Sequence, residues 1–427
     1  MAALLERFGT DVYHIEYRGI YSNHLMHGVV ALVGLGAAEA RVESFVHSYI
    51  KHLDPVPKIS ENVQVTAENL MTFAGKRSNF LELVKFFTNE LESLRMRKSN
   101  ASQNPLSLLL QRHVPSLADG GIGAAAFHPL IHIGYGLMQN TSGDFIASPR
   151  DVIDGLSYMV FSYRRAIGGK SSAAIAESII IELDISSDSG HWQSEFGISD
   201  LSDALLAVVS DFRSGQRVQK VFKQLADLAA SPEYDSMEPA SSFERGTAAM
   251  GDNMQDCLDS CTEAAMKRLH SQFEAKYGIM KETCPSFITY TMKAIVDGAI
   301  ALYAQSSNGD DFFLLHGVTS VWALRRMLQY FDSNIEKIQI LVAYVKALLA
   351  TYVTQGMPTL MGASKWTESL PSWTDIIKKT VDSSVDEHEY KVVYTCHEAE
   401  RVYGSPPSQL YRLTAAQKMR FIPWPCV

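Results

Sequence analysis

Along most of this chain apolar residues recur at intervals of three and four, the period of a helix with one buried face. Phe80, Val84, Phe87, Leu91 and Leu94 share one side of residues 79–96, and Val42, Phe45, Val46, Tyr49 and Leu53 share one side of residues 38–53. Two runs are apolar on nearly every side, 25–35 and 335–353, and read as helices sunk in a core. The same reasoning predicts helices over 106–114, 152–163, 254–273, 286–303, 312–331, 373–381 and 386–403, and one over 201–228 broken at Ser214-Gly215. An irregular tail follows Tyr403. Ile179 to Ile185 is the best strand candidate, although its Ala-rich lead-in equally suits the start of a buried helix. No strand–helix–strand rhythm is present, so the fold class expected is mainly α. Pro- and Gly-rich stretches near 231–245 and 354–375 read as surface loops.

Polar residues inside the apolar runs carry the candidate chemistry. In Phe127-His128-Pro129-Leu130-Ile131-His132-Ile133-Gly134-Tyr135-Gly136 the proline suits the first turn of a helix. His128 and His132 then lie one turn apart on one face, with Cβ atoms about 5–6 Å apart. Imidazoles so placed can share a metal ion, or each can bond a backbone carbonyl as an ordinary core histidine. His24 and His316 also sit at or near the starts of strongly apolar helices, with His27 as a rival to His24. Each such ring carries a desolvation cost unless it has a partner. Lys346 interrupts the longest apolar helical run. Its stem could snorkel, its ammonium could pair with a buried acid, or a neutral amine could take up carbon dioxide as a carbamate. His388, His397, Lys391 and Arg401, on a charged helix near the C-terminus, read as a solvated face.

Composition narrows the class. The 427 residues are 46% hydrophobic and 20% charged, ample for a sizeable core. A net charge of -9 argues against a nucleic-acid or anionic-membrane partner. No uncharged apolar run of 18 residues and no signal peptide are evident, so a cytoplasmic protein without membrane spans is expected. Cys257, Cys261, Cys284, Cys396 and Cys426 are scattered and read as reduced thiols. Gly121-x-Gly123-x-x-Ala126 lacks the preceding strand that a dinucleotide fingerprint needs. There is no P-loop, no G-x-S-x-G and no H-E-x-x-H.

With those residues assembled, the chain resembles the questin oxidase-like family of fungal polyketide pathways. The resemblance rests on Ser22-Asn23-His24-Leu25 with Gly34-Leu35-Gly36-Ala37, on His128-Pro129-Leu130-Ile131-His132-Ile133-Gly134-Tyr135-Gly136, and on Leu315-His316-Gly317-Val318-Thr319-Ser320 with Ala323-Leu324-Arg325-Arg326. The helix of Lys346 and Asp386-x-His388-x-x-Lys391 fit as well. It implies a largely helical oxygenase that uses O2 on an anthraquinone-type aromatic polyketide, either as a Baeyer–Villiger-type oxidase with NADPH as reductant or as a non-haem iron dioxygenase. In the latter form four histidines and a carboxylated lysine hold Fe(II), which would be His24, His128, His132, His316 and Lys346 here. Phe127, Tyr135, Trp322 and Tyr344 would line the substrate pocket. A single helical domain over 1–427, built around the metal, is the corresponding architecture. A homologue that keeps the fold and binds a hydrophobic ligand without turnover is the competing reading.

Overall fold

A computed structural model of the chain describes residues 5, 8–9, 11–56, 63–97, 104–139, 148–164, 170–182, 202–216, 218–220, 223, 227, 251–277, 287–361 and 370–425. Helices dominate these residues, as the apolar periodicity predicts. In chain order they are α1 (Leu25–Gly34), α2 (Glu39–Tyr49), α3 (Phe80–Arg97), α4 (Pro105–Gly121), α5 (His128–Gly136), α6 (Pro149–Phe161), α7 (Ser172–Glu182) and α8 (Ser202–Ser214). There follow α9 (Gly251–Tyr277), α10 (Phe287–Ala304), α11 (Phe312–Leu328), α12 (Asn334–Thr354), α13 (Trp373–Ser383), α14 (Glu387–Tyr403) and α15 (Leu410–Lys418). One small hairpin, β1 (Glu16–Tyr17) and β2 (Tyr21–Ser22), pairs Glu16 with Ser22 and Tyr17 with Tyr21.

Several boundaries differ from the sequence reading. Ile179 to Glu182 ends helix α7, so the described part of the proposed strand is helical. The Ala-rich lead-in decides the matter, because it starts a helix that the isoleucines extend. Helix α4 runs on through Pro115 to Gly121, past the end at residue 114 that the sequence suggests. The irregular tail contains α15, whose Leu410, Tyr411, Leu413, Ala415 and Ala416 are buried. The 231–245 loop lies outside the described residues.

The chain forms two compact units. The first comprises Met1–Arg165, Trp322–Phe331 and Ile377–Tyr394; the second comprises Ala166–Val321, Asp332–Ile376 and Thr395–Val427. In the first, α5 packs against α6 and α1, and α3 and α4 close over α6. Two glycines set those approaches. A Cβ on Gly155 of α6 would stand 2.8 Å from the Ile133 backbone nitrogen, and one on Gly134 would stand 2.3 Å from Ala323 Cα. Only a hydrogen fits at either point, so α5 is gripped by backbone on two sides.

In the second unit α10 packs against α8, α9, α12 and α15. Every residue of α10 is buried. Each large apolar side chain so buried contributes about 1.5–3 kcal/mol relative to exposure. Although both carry charged residues, α10 and α12 are long and apolar enough to cross a membrane by length and composition. Their most apolar stretches are 100% and 72% buried inside the protein, so that apolarity serves a protein core.

Candidate metal centre

The first unit brings three of the predicted ligands together. His24 is the N-cap of α1, its backbone N–H donating to the Tyr49 hydroxyl at 3.0 Å. Asn23 caps the same helix by accepting from the Leu25 N–H at 3.0 Å. His128 opens α5, with Pro129 at its first turn as expected, and His132 follows one turn later. The Nε2 atoms of His24 and His128 face each other at 2.6 Å, with the rings stacked at 4.7 Å between centroids.

The opposite nitrogen of each ring is engaged. His24 Nδ1 lies 2.9 Å from Glu387 Oε1. His128 Nδ1 bonds the Ala125 carbonyl. His132 Nδ1 lies 2.9 Å from His27 Nε2. For His24 and His128 the acceptor at Nδ1 fixes the tautomer with the proton there and the lone pair on Nε2, the arrangement that outer partners of metal-bound histidines impose, whereas the His27–His132 bond can run in either direction. Two lone pairs facing each other at 2.6 Å repel unless a proton or a cation lies between them. His132 Nε2 is buried and has no hydrogen-bond partner among the described residues. A buried ring nitrogen left without a partner is costly, and a metal ion bound to its lone pair satisfies it. The donor set therefore fits a divalent metal.

The electrostatics agree. Burial pushes His24 and His128 well below the ordinary imidazole range, with the Lys391 ammonium as the next cause in each case. Burial alone pushes His132 down to about 3. All three rings are neutral at physiological pH, which is the metal-binding form. With His24 neutral, its contact to Glu387 is a hydrogen bond rather than an ion pair.

The remaining predicted residues are placed differently. His316 belongs to the second unit and is fully buried, with Nδ1 2.7 Å from the Phe312 carbonyl one turn back in α11. It too carries its proton on Nδ1. Lys346, also in the second unit, lies 2.6 Å from Asp259 and donates to the Lys170 carbonyl at 3.0 Å. Of the alternatives open in the sequence, a buried pair with an acid is the one the structure shows. The four aromatics are all buried. Tyr135 lies 5.4 Å from His27 between ring centroids, Trp322 lies beneath the Arg325 guanidinium, and Phe127 precedes His128. Tyr344 stands in the second unit, its hydroxyl donating to the Gly317 carbonyl at 2.8 Å.

The sequence reading missed the first part of α14. It placed His388 and Lys391 on a solvated face, yet Lys391 is fully buried and the His388 side chain is 13% exposed. Lys391 Nζ lies 3.5 Å from His24 Nδ1, and the His388 ring packs edge-on to His24 at 4.8 Å. Glu387 and Lys391 sit one turn apart, so both reach one ring. The signal was present as Glu387-x-x-x-Lys391 next to the apolar Val392-Val393-Tyr394, all three buried. Beside Glu387 opens a cleft of about 600 Å³, lined among others by Tyr17, Arg18, Arg41, Tyr49 and Tyr390.

The Questin oxidase-like family matches residues 21–396, which takes in all of these histidines. The chain belongs to the Questin oxidase-like family. A Baeyer–Villiger oxidase, ptaJ of Pestalotiopsis fici, is 26% identical over 138 residues, covering 30% of this chain and 29% of that protein. The chain thus aligns with under a third of that relative's length. Both matches agree with the expectation of an enzyme of the oxidase type.

Proposed function

We propose that this protein is an oxygenase that uses O2 to oxidise or cleave a ring of a polycyclic aromatic polyketide, with Fe(II) held by His24, His128 and His132 and by the carbamate of a lysine. The observation that carries the reading is that His24 and His128 each give Nδ1–H to an acceptor and face each other through Nε2, while the buried His132 Nε2 has no hydrogen-bond partner among the described residues. Iron suits imidazoles joined by a hard oxygen ligand. Bound there, it would supply the activation of O2 that no side chain provides.

Lys391 fits the lysine role better than Lys346. The Lys346 ammonium is already matched by Asp259. An ammonium on Lys391, fully buried against His24, would repel a metal dication. Its amine and carbon dioxide give a carbamate and one proton, which turns the repelling cation into an anionic oxygen donor. Glu387 holds His24 in its ligating tautomer, and His27 packs its Nε2 against His132 Nδ1 at 2.9 Å. The cleft beside Glu387 has the size of a small-molecule site, and its tyrosine rings and two arginines suit a polycyclic phenol.

Metal analysis and oxygen uptake on protein purified without a His-tag test the reading. The expected outcome is close to one iron per chain, with loss of the iron and at least a 100-fold drop in oxygen uptake in His132→Ala. Metal-free protein, with His132→Ala as active as the parent, would overturn it. The name of the Pestalotiopsis relative favours a second reading, a metal-free Baeyer–Villiger oxidation driven by NADPH. That reading requires NADPH consumption that chelators leave unchanged.

A further inference from the structure

We propose that the turn Ala125–Phe127 is a left-handed socket that fixes the tautomer and the aim of His128. This rests on the reading of His128 as a ligand. Three successive residues with side chains take positive φ, at 44° for Ala125, 54° for Ala126 and 66° for Phe127. L-residues visit this region singly and rarely, and glycine is the usual occupant. A glycine is at hand, but Gly123 has φ -87° and is not spent on the turn. The strain therefore stays in the fold, and it sits directly before a candidate ligand, where strained backbone tends to be kept for a purpose.

The purpose follows from the position of His128 in its helix. His316 lies inside α11, so the carbonyl one turn back, that of Phe312, takes its Nδ1–H. His128 is the first residue of α5 and has no right-handed turn behind it. The left-handed turn supplies the missing acceptor, bringing the Ala125 carbonyl onto His128 Nδ1. Phe127 is fully buried and Ala126 is 7% exposed, so packing holds the turn in place. Nε2 is left as the lone-pair nitrogen facing His24. Ala125, Ala126 and Phe127 are positioning residues that act through His128.

The experiment uses the metal-free full-length protein and two readouts, urea unfolding and the ring-nitrogen NMR signals of His128, assigned by their loss in His128→Asn. In wild type the proton should reside on Nδ1; a proton found on Nε2 alone overturns the proposal. In the double variant Ala125→Gly/Ala126→Gly the folding constant should rise about tenfold, because glycine takes positive φ without strain. A fall by a similar or larger factor, as for glycine in an ordinary helix, would show that the turn is not left-handed. In Ala126→Val, if folded, the Nδ1–H form should drop to a mixture, since β-branched residues resist positive φ most. A folded Ala126→Val protein with an unchanged tautomer overturns the socket. Should it not fold, the wild-type tautomer and the sign of the glycine effect decide. None of these readouts involves iron, so failure of the oxygenase reading would leave them standing.

Discussion

Lys346 and Lys391 make an instructive pair. Both lie on helices with buried faces, and they end in opposite company. Lys346 rises from an almost wholly apolar stretch of α12 and meets a carboxylate, Asp259, at 2.6 Å. Lys391 follows the charged segment Asp386-Glu387-His388-Glu389, yet it is fully buried among imidazoles. The apolar flank looks like the place for a reactive amine, and the charged flank looks like surface. The packed chain reverses both impressions. A buried charge beside an acid is a structural solution. A buried amine 3.5 Å from the Nδ1 of a candidate ligand stands where a metal centre could recruit it.

Lysine exchange tests that contrast most sharply. Lys391→Met should lose bound metal and lower oxygen uptake by 100-fold or more, while Lys346→Met should stay within about threefold of the parent. The reverse ranking would return the ligand role to Lys346. Stability tests the other lysine: Asp259→Ala removes the acid beside the Lys346 ammonium and should cost about 3 kcal/mol in urea unfolding. A cost below about 1 kcal/mol would show that this pair is not structural.

The smallest effect is one of pH. Unfolded, His132 takes a proton near 6.5; folded, burial keeps it neutral down to about 3. The unfolded chain therefore binds more protons across that window, and metal-free protein should lose stability as pH falls from 6.5 towards 3. The slope is about 1.4 kcal/mol per pH unit for each proton withheld. Urea midpoints at pH 7.5 and 5.5 should show a flatter dependence in His132→Asn and an unchanged one in Lys346→Met. An equal slope in His132→Asn and the parent would show that His132 is not held neutral.

Much of this architecture is legible in the sequence because helical periodicity is a local property. The paired apolar positions of α3 and the all-round apolarity of α1 and α12 predict those helices closely. Pro129 and the His128/His132 spacing predict α5 and its paired rings, and the buried position of His24 follows from the helix it caps. What stayed hidden is set by partners far along the chain. Nothing local to Glu387 or Lys391 says that α14 turns that face towards His24, some 360 residues earlier. The left-handed turn before His128 is hidden for a different reason. Alanine is a strong helix former, so nothing in Ala124-Ala125-Ala126 signals a left-handed turn, and surrounding packing overrides the alanine preference at a cost of roughly 1–2 kcal/mol for each left-handed residue.

The discontinuity of the first unit also sets a clock. His24, His128 and His132 leave the ribosome long before Ile377–Tyr394, the segment that carries Glu387 and Lys391. At about 5–20 residues per second, the roughly 250 residues in between take on the order of 10–50 s to synthesise. For that interval the nascent chain presents imidazoles without the acid that orients His24 or the lysine beside it. Copper and zinc bind such nitrogen sites more tightly than iron does. On the proposed function, the late arrival of α14 would make the order of synthesis, as well as the finished geometry, bear on which metal the protein acquires.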